Sequence, residues 1–276
     1  MPLPAFLRRW RFIGGGRRPW SKGYLEARDA CAAAAIDAAL QRGRFRPEAG
    51  YGRGFDERVV EYPWFFEALP SGPLRLLDAG STLNHAFVVE RLPLARLKLT
   101  ISTLAPEANC FWRRGISYAF EDLRHLAYRD GQFDAVACLS TLEHIGMDNT
   151  LLYTGDPAKR EQALRDYLAA IREFQRVLAP GGCLLLSMPY GREQVAPWFQ
   201  QFTAAMIEEC CAAFGPATVE RRFFRYSQAG WAEAAQADCD AAVYFDVHDA
   251  HAAWRPGDPA AAGAVVCLKL VKNGVA

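Results

Sequence analysis

A large excess of charge of either sign is the first thing this sequence lacks. Its 276 residues set 32 lysines and arginines against 31 aspartates and glutamates, a net +1. A surface that tracks phosphates normally carries a broad basic excess, so nucleic acid is not an expected partner. No stretch approaches the roughly 18–20 apolar residues that cross a bilayer. Arginines interrupt each N-terminal segment that would form the core of a secretory signal. None of the cysteines (Cys31, Cys110, Cys138, Cys183, Cys210, Cys211, Cys239, Cys267) belongs to a C-x-x-C pair, which argues against a disulfide or zinc framework. Cys138, Cys183 and Cys267 fall in apolar runs and read as small buried hydrophobes of a reducing compartment. The expected location is cytoplasmic. Internal repeats, low-complexity linkers, N-P-P-Y and the G-x-G-x-x-G fingerprint of dinucleotide sites are also missing.

What is present suits a soluble globular chain: 51% hydrophobic and 23% charged residues, enough for one substantial core or one core with a small appendage. The first twenty residues hold Arg8, Arg9, Arg11, Arg17 and Arg18 with Trp10, Phe12 and Trp20, and no acid. This composition predicts a partly ordered arm with solvated arginines, and it suits peripheral contact with an anionic membrane or an acidic partner.

Good helix formers over 24–41 predict a helix. A second is expected over 56–69, capped by Asp56 and broken or kinked at Pro63. From residue 74 strand-like and helix-like segments alternate. Strands are expected at 74–79, 97–102, 116–120, 133–140, 183–189, 217–224 and 262–272, with helices at 85–92, 159–178 and 198–214. Leu164, Tyr167, Leu168, Ile171, Phe174 and Val177 supply the helical spacing of the second of these. Such alternation implies an α/β fold, a mostly parallel sheet with helices on both faces. Residues 1–70 then form an N-terminal arm and helical extension. Residues 71–276 form the α/β domain, with an insert near 225–262.

Ligands of open α/β sheets bind beyond the carboxyl ends of the strands. Those ends here are DAGSTLN (78–84), TISTL (100–104), FEDLR (120–124), STLEHIGMDN (140–149) and MPYGRE (188–193). In order and spacing, LDAG, FEDL, RDGQFDAVACLSTLEHI and VLAPGGCLLLSMP resemble motifs of the class I S-adenosylmethionine-dependent methyltransferases, particularly the type 11 group. The likeness covers roughly residues 74–190. It implies a Rossmann-like seven-stranded sheet and S-adenosyl-L-methionine as cofactor. Gly80 would admit the methionine end, which Asp78 helps to orient. Asp122 would accept from the adenine amino group, and the Leu123 backbone would read the ring edge. Leu139 and Ser140 would line the reactive sulfonium.

Two departures from the family pattern carry information. The usual G-x-G-x-G is Gly80-Ser81-Thr82-Leu83-Asn84. This cofactor has no pyrophosphate, so hydrogen bonds from Ser81, Thr82 or Asn84 and a helix N-terminus suffice for its zwitterionic end. The acid that normally holds the ribose, about 20 residues past the turn, is Thr100. Weaker binding is expected there unless Glu107 or Glu61 compensates, because charged acceptors bond roughly twice as strongly.

Methyl transfer to a hydroxyl needs alignment and a base. His144 is the candidate base, with Glu143 to orient it or contact the acceptor. Tyr190 and Arg192 are candidate acceptor contacts. Some quinone-directed relatives use Glu-x-x-Glu-His to bind a metal, but Ser140-Thr-Leu-Glu-His144 lacks the first carboxylate, and no metal is expected. Asp246, His248, Asp249 and His251 have permissive metal spacing but read as an exposed polar loop. The N-terminal and 140–149 segments also resemble a bacterial subgroup of glycan and lipopolysaccharide gene clusters. The expectation is therefore an O-methyltransferase of a small molecule or glycan. A non-catalytic methyltransferase-like binding or regulatory domain is the alternative.

Overall fold

The structure is a computed structural model that describes residues 5–150, 155–249 and 251–274, without the side chains of residues 5, 6, 8 and 159. The side chain of Arg8 in the basic cluster is thus not described. Where the composition predicts a partly ordered arm, a helix forms instead, α1 (Ala5–Gly14). Phe12 anchors it, stacking on Phe55 at 5.3 Å and meeting Tyr24 edge-on at 5.6 Å. The alanine-rich segment is α2 (Tyr24–Arg42), closed by Gly43.

Pro63 does not end the next helix; it sits inside α3 (Arg58–Ala68). Proline has no N–H to give the carbonyl four residues back. That carbonyl belongs to Val59, and the Tyr51 hydroxyl donates to it at 2.5 Å. A side chain thus replaces the missing backbone donor. Asp56 accepts from the Arg58 N–H at 3.2 Å, as expected of a residue before a helix start.

The alternating region follows as β1 (Leu74–Ala79), α4 (Ala86–Val89), β2 (Leu97–Thr103), β3 (Ser117–Phe120) and β4 (Phe133–Leu139). Then come α5 (Tyr167–Val177) and β5 (Leu178–Pro189). A short hairpin, β6 (Gln194–Ala196) and β7 (Phe199–Gln201), precedes α6 (Ala204–Phe214). The chain closes with β8 (Ala217–Ser227), β9 (Gly230–Ala234), α7 (Gln236–Cys239) and β10 (Ala264–Lys272). The sheet has eight strands, not the seven expected, in the order β3-β2-β1-β4-β5-β10-β8-β9. The pairs among its first five strands are parallel, and β8–β9 is antiparallel. The fold is thus the expected α/β class with a large, mostly parallel sheet.

Two helices are shorter than their periodicity predicts. In place of a helix from 159, a helical turn at Pro157–Lys159 leads into non-helical chain, and α5 starts at Tyr167. The Ala163 N–H bonds the Gly146 carbonyl at 2.7 Å, so this segment spends its backbone on a distant loop. Likewise 199–201 pair as a hairpin strand, and the Thr203 hydroxyl caps α6 by accepting from Met206 N.

By internal contacts the chain forms two compact units. One comprises residues 1–67, 189–192 and 222–266; the other comprises 68–188, 193–221 and 267–276. In the second unit β1 and β4 are central and almost fully buried, which explains their near-continuous apolar sequence.

Candidate functional site

The carboxyl ends of β1 to β4 border one cavity in the second unit. Gly80 from the turn after β1, Thr103 and Leu104 from the end of β2, and Glu121 to Arg124 after β3 line it. Thr141, His144, Ile145, Gly146 and Asn149 follow β4, and Glu161 precedes α5. Parallel pairing explains the convergence: Asp78 is opposite both Ile101 and Ala137, so consecutive strands end at one level.

The turn after β1 is built from the inside. Asp78 is fully buried; its carboxylate accepts from Leu83 N at 2.8 Å and Thr82 Oγ1 at 3.3 Å. Burial pushes its pKa up to about 7, although those hydrogen bonds oppose the shift. Gly80 has φ +112, and a Cβ there would lie 2.3 Å from the Thr141 side chain. A side chain is excluded on both counts. Ser81, also at positive φ, buries a hydroxyl that has no hydrogen-bond partner among the described residues.

Asn84 is committed elsewhere. Its amide donates to Glu107 at 3.1 Å and Asn109 O at 3.0 Å, and its oxygen accepts from Tyr118 at 3.0 Å. Thr100 is mid-strand, opposite Leu77 and Ser117, and does not line the cavity. The residue that reaches the end of β2 is Thr103, whose hydroxyl donates to Glu107 at 3.2 Å. A count of about 20 residues from the turn lands on Thr100, inside β2, which continues to Thr103. Glu107 is therefore linked to the cavity wall. Glu61 belongs to the first unit, where it pairs with Arg58 at 2.9 Å.

After β3, Glu121 accepts from Ser102 Oγ at 2.6 Å and from Ala127 N at 2.9 Å. Burial raises the Asp122 carboxyl pKa, but the Arg124 hydrogen bonds and charge outweigh it, leaving the group below its ordinary value. Arg124 also pairs with Glu161 at 2.7 Å and Asp166 at 2.6 Å. Gly146, which also lines the cavity, has φ +79, and a Cβ there would meet Ala163 O at 2.2 Å. The loop after β4 and the segment before α5 touch backbone to backbone at that point.

His144 Nδ1 lies 2.8 Å from the Trp198 carbonyl, and the two rings stack at 5.4 Å and 15°. A carbonyl only accepts, so Nδ1 carries the proton and the neutral ring keeps its lone pair on Nε2. Glu143, buried, places Oε1 at 3.8 Å from Nε2. The ring is thus oriented by a main-chain oxygen, and the buried Glu143 carboxyl lies beside its other nitrogen.

Gly80, Asp122, Leu123 and His144 are therefore brought into one cavity. Asp78, Ser81, Asn84, Thr100, Leu139, Ser140 and Glu143 are not among its lining residues. Tyr190 and Arg192 belong to the first unit. Tyr190 is fully buried, its hydroxyl donating to Asp240 at 2.5 Å, and Arg192 is exposed. Asp246 and Asp249 turn back onto the His248 and His251 N–H groups in an exposed loop. The lining residues that sequence reading did not single out include Thr103, Glu121, Arg124, Thr141, Asn149 and Glu161. All but Glu161 lie within the strand-end stretches quoted from the sequence, TISTL, FEDLR and STLEHIGMDN.

Residues 92–186, about a third of the chain, match the family model described as a methyltransferase domain. Every lining residue but Gly80 falls within that span. No curated protein matches. Among solved structures, the chain is similar to the [4+2]-cyclase SpnF at 23% identity and TM-score 0.40, over 55% of this chain and 54% of that one. It thus spans about half the cyclase's length. It is also similar to YcgJ of Bacillus subtilis, at 12% identity over 75% and 95% of the two chains, TM-score 0.48. A third is the 1,6-didemethyltoxoflavin-N1-methyltransferase of Burkholderia thailandensis with bound 1,6-didemethyltoxoflavin and S-adenosylhomocysteine, at 16% identity over 99% and 92%, TM-score 0.45.

Proposed function

We propose that this chain is an S-adenosylmethionine-dependent methyltransferase acting on a hydroxyl of a small molecule or glycan. The observation that carries the reading is the convergence of Gly80, Asp122, Leu123 and His144, from turns after three different strands, on one cavity.

The residues present suit this donor. Glu121, Asp122 and Glu161 set three carboxylates against the single guanidinium of Arg124 in the cavity wall, which favours a cation and disfavours a pyrophosphate. Gly80 leaves the backbone bare, and the buried Ser81 hydroxyl beside it offers a hydrogen bond to the zwitterionic end. Asp122 would accept from the adenine amino group beside the Leu123 backbone. Thr103, backed by Glu107, would meet the ribose. The cofactor would supply an electrophilic methyl group.

His144 would take the acceptor hydroxyl's proton on Nε2, since Nδ1 is tied to Trp198 O. The Glu143 carboxylate would then stabilise the imidazolium. Asn149 and Ile145, beside His144, would contact the acceptor. The cytoplasm is the proposed location.

One observation favours a second reading, a binding domain without turnover. The carboxylate expected to read adenine already receives hydrogen bonds from Arg124 on both oxygens. Calorimetry separates the two. Micromolar binding of S-adenosylmethionine, weakened by Asp122→Asn, supports methyl transfer; failure to bind either the donor or its demethylated product selects the second reading.

A further inference from the structure

The first unit contains a separate cavity of about 460 Å³, within the range of small-molecule sites. Its floor is one face of α2. Ala27, Ala30, Ala34 and Ala38 recur there at helical spacing and line it. Larger side chains at these positions would fill the space, so the alanines create the groove. Phe45, Tyr51 and Phe55 form its other side. The walls are thus apolar, and the partly buried Cys31 in the floor is a thiol whose pKa burial raises, keeping it neutral.

The rim has the opposite character. Arg9, Arg17, Arg42, Arg44 and Arg46 all border the cavity, against one carboxylate, Glu48, among the described lining residues. Glu48 is already paired with Arg42 at 3.2 Å. Arg44 and Arg46 flank the buried Phe45, and both arginines are exposed. Neither they nor Arg9 form an ion pair among the described residues. A chain with balanced charge overall has concentrated five guanidinium groups around one apolar hollow.

We propose that this cavity binds a single-chain amphiphile, with the hydrocarbon chain along the alanine face and a phosphate head on the arginine rim. The planar guanidinium fork matches phosphate oxygens two at a time. An apolar groove rewards a chain that leaves water, by about fourfold in affinity per methylene buried. A cationic head would be repelled, and inorganic phosphate would forgo the groove. The site lies wholly within the first unit and does not depend on the methyl-transfer reading.

The test uses the full chain and 1-oleoyl-lysophosphatidate below its critical micelle concentration, titrated by calorimetry. One-to-one saturable binding is expected. It should weaken at least tenfold in Arg44→Gln/Arg46→Gln, and to a similar extent in Ala34→Leu/Ala38→Leu, which fills the groove. Both pairs keep good helix formers or exposed polar groups, and far-UV dichroism checks their folding. Shortening the chain to octanoyl should also cost at least tenfold, and inorganic phosphate alone should not saturate. Absence of binding overturns the proposal. So does affinity unchanged by the leucine pair, or binding seen only with phosphatidate vesicles and indifferent to that pair, which would place the arginines on a membrane surface instead.

Discussion

Arg124 donates to both carboxylate oxygens of Asp122, at 2.6 to 3.1 Å, through its backbone N–H and its guanidinium. The same guanidinium reaches Glu161 and Asp166, which lie ahead of α5. One cation therefore fastens the turn after β3 to a segment some forty residues downstream. Removing it strands three part-buried carboxylates. Arg124→Gln is expected to lower stability by about 1–3 kcal/mol at neutral pH. Arg124→Lys should recover only part of that, because an ammonium cannot fork. The sign with pH follows from Asp122, whose folded-state pKa is lowered. Its contribution is present above the ordinary carboxylate range and lost as pH falls through the folded value. Urea unfolding at pH 7 and pH 3 checks both points: the gap between wild type and Arg124→Gln should shrink in acid.

Asp78 titrates the other way. Its unfolded value is about 4, and burial raises the folded one to about 7. Between these values the folded state holds more protons, so this group's contribution to stability falls as pH rises. Asparagine can still accept from Leu83 N and donate to Thr82. Asp78→Asn should therefore gain on wild type between pH 5 and pH 8 in urea unfolding. An equal difference at the two pH values would remove the titration.

Replacing His144 by alanine should reduce turnover by about 10²–10⁴, the usual scale for losing a general base. Affinity for S-adenosylmethionine should stay within about twofold, since the proton acceptor stands at the acceptor end. Turnover with a screened hydroxyl acceptor and donor affinity by calorimetry give the two numbers. Unchanged turnover would take His144 out of the reaction.

Tyr51 and Pro63 should be coupled. Tyr51→Phe leaves the Val59 carbonyl without its donor and is expected to cost about 1–2 kcal/mol. In a Pro63→Ala background the helix supplies its own N–H to that carbonyl. The tyrosine hydroxyl should then be worth much less, and a double-mutant cycle in urea measures the difference.

The parts of the fold that could be read in advance are those whose signal is local. The run LRLLDA becomes β1 with the expected bounds because burial on both faces demands continuous apolar residues. Leu164 misled for the opposite reason. It fits the helical stripe, yet it is 47% exposed and lies before α5, because Gly146 and Arg124 hold its neighbours in another path. The strand β9 went unseen since Gly230–Ala234 has little apolar pattern and is defined by its antiparallel pairing with β8. The same division holds at the cavity. Gly80, Asp122 and His144 were visible as motif positions at strand ends. Arg124 and Glu161 were not, because their roles arise from ion pairs between distant segments.

The proton on His144 answers to the main chain. Since the Trp198 carbonyl holds Nδ1, exchanging the indole for another side chain would alter the surface against which the imidazole lies without changing which nitrogen is basic. Tautomer choice here is a property of the path the chain takes through residue 198, and only a displacement of the hairpin around that residue would reverse it.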